Sequence, residues 1–124
     1  MTNNKKVNAA ILIIGNEILS GRTKDTNTST IASWLNTIGV KVTEVRVIPD
    51  IENTIIDTIN VLRKSNDYVF TTGGIGPTHD DITAESISKA FGLNYEIHKE
   101  AFEILKAYYK PGEFNEGRQK MVWM

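Results

Sequence analysis

Along the chain, short apolar runs alternate with stretches whose apolar residues recur every three or four positions. The run Asn8 to Ile14 is apolar almost throughout, as a strand covered on both faces should be. A polar loop follows, from Gly15 to Lys24. The spacing then predicts a helix over Thr26 to Ile38, with Ile31, Leu35 and Ile38 on one face. Gly39 stands just past it, where a left-handed residue is commonly needed. A second strand is expected over Val40 to Ile48, broken by Pro49 and Asp50. The next helix runs to Lys64 with Ile55, Ile56, Ile59 and Leu62 as its buried stripe. A third strand, Asp67 to Thr72, leads directly into a glycine-rich loop. Further on, the pattern predicts a helix over Ala84 to Phe91 closed by Gly92. A short strand over Leu93 to Ile97 and a helix over Lys99 to Tyr109 come next. Pro111 to Gly117 reads as a loop, and a last helix begins within Asn115 to Met124.

Three β–α units in succession predict an α/β fold with a mostly parallel sheet and right-handed crossovers. Ligands of such sheets bind at the carboxyl ends of the strands. The loops at that edge are Gly15 to Asp25, Pro49 to Asp50, and Gly73 to Asp81, and they hold most of the unusual chemistry. A length of 124 residues suits one domain able to bury a core without disulfides or metal. The hydrophobic share of 40% and charged share of 23% are ordinary for a globular protein. A net charge of −1 argues against a nucleic-acid binder. The absence of cysteine excludes a disulfide scaffold, a thiolate zinc site and a cysteine nucleophile. Lys5 and Lys6 precede the run Ala9 to Ile14, but that run is too short for a signal peptide, and Gly15, Asn16 and Glu17 replace a cleavage site. Nothing approaches a membrane span, so a cytoplasmic protein is expected.

The third loop reads Gly73-Gly74-Ile75-Gly76-Pro77-Thr78-His79-Asp80-Asp81-Ile82-Thr83. Glycines let a backbone approach a ligand closely, and successive N–H groups in such turns form anion-binding concavities. Gly74-Ile75-Gly76 begins a dinucleotide fingerprint, but His79 occupies the last glycine position. Gly15 to Thr23 fails the Walker pattern: its glycines are one residue too far apart and Arg22 replaces lysine. The glycines alone fit a tight strand-to-helix turn equally well. The carboxylates shift the balance. Thr83 can cap the following helix, which leaves Asp80 and Asp81 spare. A carboxylate and a phosphate ~4 Å apart repel by ~4 kcal/mol at an effective dielectric of ~20. A helix N-terminus returns only ~0.3–1 kcal/mol. A cation should therefore bridge aspartate and phosphate, with Mg²⁺ or another divalent ion the expected cofactor.

The supporting residues carry two readings each. Asp50 suits the N-cap of the second helix, yet one of its oxygens could still reach a ligand. Glu17 is a solvated loop charge or a group at the ligand edge. Asp25, Thr26 and Asn27 start the first helix, yet one of them could still reach a ligand from the same edge. His79 is a surface residue that can act as a cation beside a polyanion. His98 is structural, and Trp34 and Trp123 serve packing or an interface rather than a base-stacking platform.

These residues carry a resemblance. The chain is similar to the molybdopterin-binding (MoaB/Mog-like) family, and most to its CinA-type N-terminal domains. Gly15-Asn16-Glu17-Ile18-Leu19-Ser20-Gly21 with Asp25-Thr26-Asn27 resembles the family's first loop, which more often has aspartate in place of Asn16. Pro49-Asp50 matches the second loop, and Gly73 to Thr83 the third. The resemblance implies a three-layer αβα sandwich that forms homo-oligomers, often trimers. It implies that Asp50 and Asp81 carry the chemistry, while on the carboxylate–phosphate repulsion above Asp80 and Asp81, with Asp50, would hold the metal and align water. Gly73, Gly74, Gly76, Pro77, Thr78, Glu17 and Ser20 would contact the ligand, a nucleotide or a pterin. The doublet Asp80-Asp81 favours the CinA-type branch, which includes metal-dependent pyrophosphatases acting on ADP-ribose. MoaB/Mog relatives instead bind molybdopterin, and some adenylylate it with ATP and Mg²⁺. A non-catalytic remnant or interaction module is the third alternative. The family continues past the position of Met124 with further strands, so a single truncated domain over 1–124 is expected, with an apolar end, Met121 to Met124, that lacks a partner.

Overall fold

The computed structural model of the chain describes residues 6–124, and Lys5 lies outside the described residues. Its sheet has three parallel strands in the order β2-β1-β3. These are β1 (Val7–Ile14), β2 (Val40–Ile48) and β3 (Tyr68–Thr72). The central strand is β1, so its continuous apolar run is buried from Ala9 to Ile14, as a strand with a layer on each face requires. The expected alternation of strand and helix is present, with α2 (Asn27–Thr37) between β1 and β2, and α3 (Glu52–Ser65) between β2 and β3. The chain steps from β1 to β2 in one direction and from β2 past β1 to β3 in the other. Right-handed crossovers then place α2 and α3 on opposite faces of the sheet.

The larger core lies on the α3 face. Ala10, Leu12 and Ile14 of β1 and Ile48 of β2 pack with Ile55, Ile59 and Leu62 of α3. Helix α4 (Thr83–Phe91) adds Ile87 and Ala90 to this cluster. Arg63 lies over the Phe91 ring, 4.4 Å from its centroid, and Lys89 reaches Glu52 at 2.9 Å, so two polar contacts join the same two helices. The other face is thinner. Of the expected stripe Ile31, Leu35 and Ile38, only Leu35 is buried. The helix stops at Thr37, so Ile38 falls in the turn and faces solvent.

Three further expectations are corrected. The loop after β1 contains a short helix, α1 (Asn16–Leu19). The segment from Leu93 to Ile97 is not a strand; only Ile97 forms a bridge, antiparallel, with Trp123. The apolar end does have a partner. After α5 (Lys99–Tyr108) and α6 (Glu116–Lys120) the chain returns beside residues 96–98. Met124 and Glu96 exchange both backbone hydrogen bonds, the His98 N–H donates to the Val122 carbonyl, and Val122 is fully buried. His98 is structural as expected, its Nδ1 capping α5 by accepting from the Ala101 N–H. Among the described residues, no helix is long and apolar enough to cross a membrane.

Candidate functional site

The parallel strands bring the three loops to one edge. The polypeptide leaving β1 heads for the α2 face, while those leaving β2 and β3 head for the α3 face. Neighbouring loops therefore diverge and leave a crevice, the usual place for a ligand in such a sheet. The first and second loops are tied together. The Gly15 N–H donates to the Ile48 carbonyl at 3.0 Å, and the Asn16 N–H donates to Asp50 Oδ2 at 3.1 Å. This corrects the expected capping role of Asp50: the residue before α3 is Ile51, and no side chain caps that helix. Asp25 behaves as expected, accepting from the Asn27 and Thr28 N–H groups at the start of α2.

The third loop is held from behind. Gly73 and Gly74 both have positive φ, 91° and 67°. A Cβ on Gly73 would lie 2.0 Å from the Ile14 carbonyl oxygen, and one on Gly74 2.2 Å from Thr83 Oγ1. Gly73 is therefore needed to press the loop against the end of β1. Thr83 is buried and does not cap α4. Its hydroxyl donates to the Gly73 carbonyl at 2.9 Å and its N–H to the Gly74 carbonyl at 3.1 Å, which fastens the loop to the helix it enters.

Asp81 is not spare either. Its Oδ2 accepts from the Thr78 N–H at 2.9 Å and the Thr78 hydroxyl at 2.8 Å, and its carboxylate also takes the Gly76 N–H. Burial works against the charge on Asp81, but the Thr78 and Gly76 donors and the nearby Lys120 outweigh it and hold the carboxyl below its usual range. Asp81 thus closes residues 76–81 into a ring. Lys120 of α6 braces the ring from outside by donating to the Thr78 carbonyl.

The front of the loops forms a polar cleft of about 460 Å³. Of the residues singled out in the sequence, Glu17, Asp50, Gly74, Thr78, Asp80 and Asp81 line it. Asp80 is largely exposed and pairs with His79, Nε2 to Oδ1 at 3.0 Å. Gly73, Gly76, Pro77 and Ser20 are not among its walls. Ser20 donates its hydroxyl to the Glu17 carbonyl at 3.3 Å, and the Pro77 carbonyl faces Gly117. The cleft also takes in His79, which the sequence offered as a cation beside a polyanion, and Asn16, Arg22 and Ile82, which the sequence reading did not place in the site. Arg22 carried a signal: a cation on the same loop as Glu17 is available to an anion held by that loop. Among the described residues, no group of three or more His, Asp or Glu is placed to hold a metal ion.

Comparison with known proteins agrees with this geometry. Residues 10–122 match the family model described as "Probable molybdopterin binding domain". A protein of Archaeoglobus fulgidus is 43% identical over 103 residues, covering 83% of this chain and 45% of that protein. One of Saccharolobus islandicus is 39% identical over 119 residues, covering 94% of this chain and 45% of its own length. The chain therefore spans less than half the length of these relatives. The crystal structure of the protein CinA, of unknown function, from Thermoplasma acidophilum superposes with a TM-score of 0.89 at 33% identity, over 97% of this chain and 72% of that one. MoaB from Thermus thermophilus, a molybdopterin biosynthesis enzyme, superposes with a TM-score of 0.64 over 93% of this chain and 71% of that one. At 20% identity that likeness shows the fold alone. The chain belongs to the molybdopterin-binding domain family and is CinA-like within it.

Proposed function

We propose that the cleft binds a nucleotide-type pyrophosphate, such as ADP-ribose, and hydrolyses it with a divalent cation. One observation carries this reading: Glu17, Asp50, Asp80 and Asp81 converge with Arg22 and the Gly74 backbone in one polar cleft. Four carboxylates alone would repel a phosphate. Mg²⁺ would relieve that repulsion by binding through one or two carboxylates together with phosphate oxygens. Asp80 is the more accessible of the doublet and would hold the ion, with Asp81 alongside. Such an ion supplies charge stabilisation and a more acidic bound water. Asp50 would orient the attacking water. Arg22 would take a phosphate oxygen, and Thr78 and Gly74 would shape the anion's seat.

The test is turnover of ADP-ribose with Mg²⁺ or Co²⁺, in the native chain and in Asp50→Ala and Asp80→Ala. The expected loss is at least about a hundredfold, the low end for removing a group that handles the reacting water. Equal rates in native and variant chains would remove these aspartates from the reaction. The family model favours a second reading, in which the same cleft takes the phosphate of a pterin dithiolate. Calorimetry with that pterin distinguishes the two, since the second reading needs tight binding and no pyrophosphate hydrolysis. No metal-dependent binding of nucleotide or pterin would leave an interaction module.

A further inference from the structure

Behind the glycine-rich loop lies a second pocket, of about 240 Å³. Its walls are apolar where those of the cleft are charged: Ile75, Ala84, Met121 and Trp123 line it, with Tyr95. Gly74 and Asp81 line both spaces, so only the loop separates them. We propose that this pocket receives the flat heterocyclic base of the nucleotide whose phosphates occupy the cleft. The proposal rests on the function argued above and names the part of the substrate that the cleft cannot hold.

Four observations support it. The pocket is smaller than the ~300–1,000 Å³ typical of sites for whole ligands, so it suits one fragment of a larger molecule. Two aromatic side chains in its wall, Tyr95 and Trp123, pack on one another with ring centroids 5.5 Å apart and planes inclined by 42°, so the tryptophan that the sequence assigned to packing also lines the pocket. Such rings offer π-faces to any base. The wall is fixed in advance, because the Trp123 segment pairs with residues 96–98 through the Ile97 bridge and the bonds of Val122 and Met124. A wall already ordered avoids part of the cost of binding. Polar groups also line the pocket. Lys120 and Asp81 line it beside Tyr95, and burial together with Glu85 raises the Tyr95 phenol above its usual range.

The chain has two tryptophans, and Trp34 is exposed, so Trp34→Phe leaves Trp123 as the sole indole reporter. In that background, ADP-ribose and AMP with Mg²⁺ should quench Trp123 emission, whereas pyrophosphate with Mg²⁺ should bind without doing so. Ala84→Leu fills the pocket from α4 and should weaken ADP-ribose roughly tenfold to a hundredfold, the value of one base–aromatic stack, while leaving pyrophosphate binding unchanged. Trp123→Ala should lower ADP-ribose affinity in the same direction, with circular dichroism confirming that both variants fold. If ADP-ribose binds but leaves Trp123 silent and is indifferent to Ala84→Leu, the base lies elsewhere and the pocket proposal fails while the cleft reading stands. If neither ADP-ribose nor pyrophosphate binds, both fail.

Discussion

The glycines and aspartates of the loops at the sheet edge differ in what they do, and single substitutions separate their roles. Gly21 and Gly73 both have positive φ, but a Cβ on Gly21 meets nothing within 4 Å, whereas one on Gly73 meets the Ile14 carbonyl at 2.0 Å. Gly21→Ala should cost only the left-handed penalty, ~1–2 kcal/mol. Gly73→Ala should cost more, because the loop must also back away from β1. Urea unfolding of the two variants measures the difference, and equal midpoints would show that the contact is not felt. Asp81 gives a pH signature. Its folded carboxyl is held below the unfolded value of about 3.9, so its stabilisation is fully present above that pH. It is lost as the pH falls through the folded value. Asp81→Asn lacks this dependence, so its stability should fall less steeply than native below about pH 4. Parallel acid-unfolding curves, followed by circular dichroism, would refute that role. The sequence made the glycine loop and its aspartates conspicuous. It could not show that Asp81 and Thr83 turn inward, because either residue type could as well face solvent or cap a helix.

At the scale of elements, the legible parts were those whose period and burial agree. The apolar run of β1 is central and covered on both sides, and the stripe of α3 keeps Ile55, Ile59 and Leu62 in the core. Leu62→Ala should therefore cost ~2–5 kcal/mol of unfolding free energy, measurable by denaturant titration. The tail was less legible. Residues 93–97 have a strand-like composition, yet a single bridge to Trp123 replaces a ladder. Pairing of that kind depends on where α5 and α6 return the chain, which no local pattern states. The same return brings Lys120 to the Thr78 carbonyl, 42 residues away in sequence. Lys120→Met should leave global stability within ~0.5 kcal/mol, as surface substitutions usually do. It should nonetheless speed hydrogen exchange of the amides in residues 76–81, since the loop loses its outer brace. Unchanged exchange would mean that Asp81 alone holds the ring.

For the molecule as a whole, the uneven cover of the sheet has a consequence. One face is sealed by α3 and α4, while on the other Leu35 is the only buried residue of α2. The register places Val45 and Val47 beside Ile11 and Ile13, on the face opposite the α3 core. Both valines remain exposed, as do Trp34 of α2 and Ile38 just beyond it. A helix that buries one residue and exposes a tryptophan is incompletely packed by its own chain. Apolar residues gathered on one side of a domain in this way can mark an interaction site. Self-association through the α2 side would cover it without obstructing the cleft, whose walls come from the loops 16–22, 50 and 74–82. Trp34→Glu places a charge in that surface. Sedimentation velocity should show the native chain as an oligomer and the variant shifted toward monomer, with the melting temperature concentration-dependent only in the native chain. A native chain that sediments as a monomer at all concentrations would assign the exposed face to some other partner and separate assembly from the chemistry of the cleft.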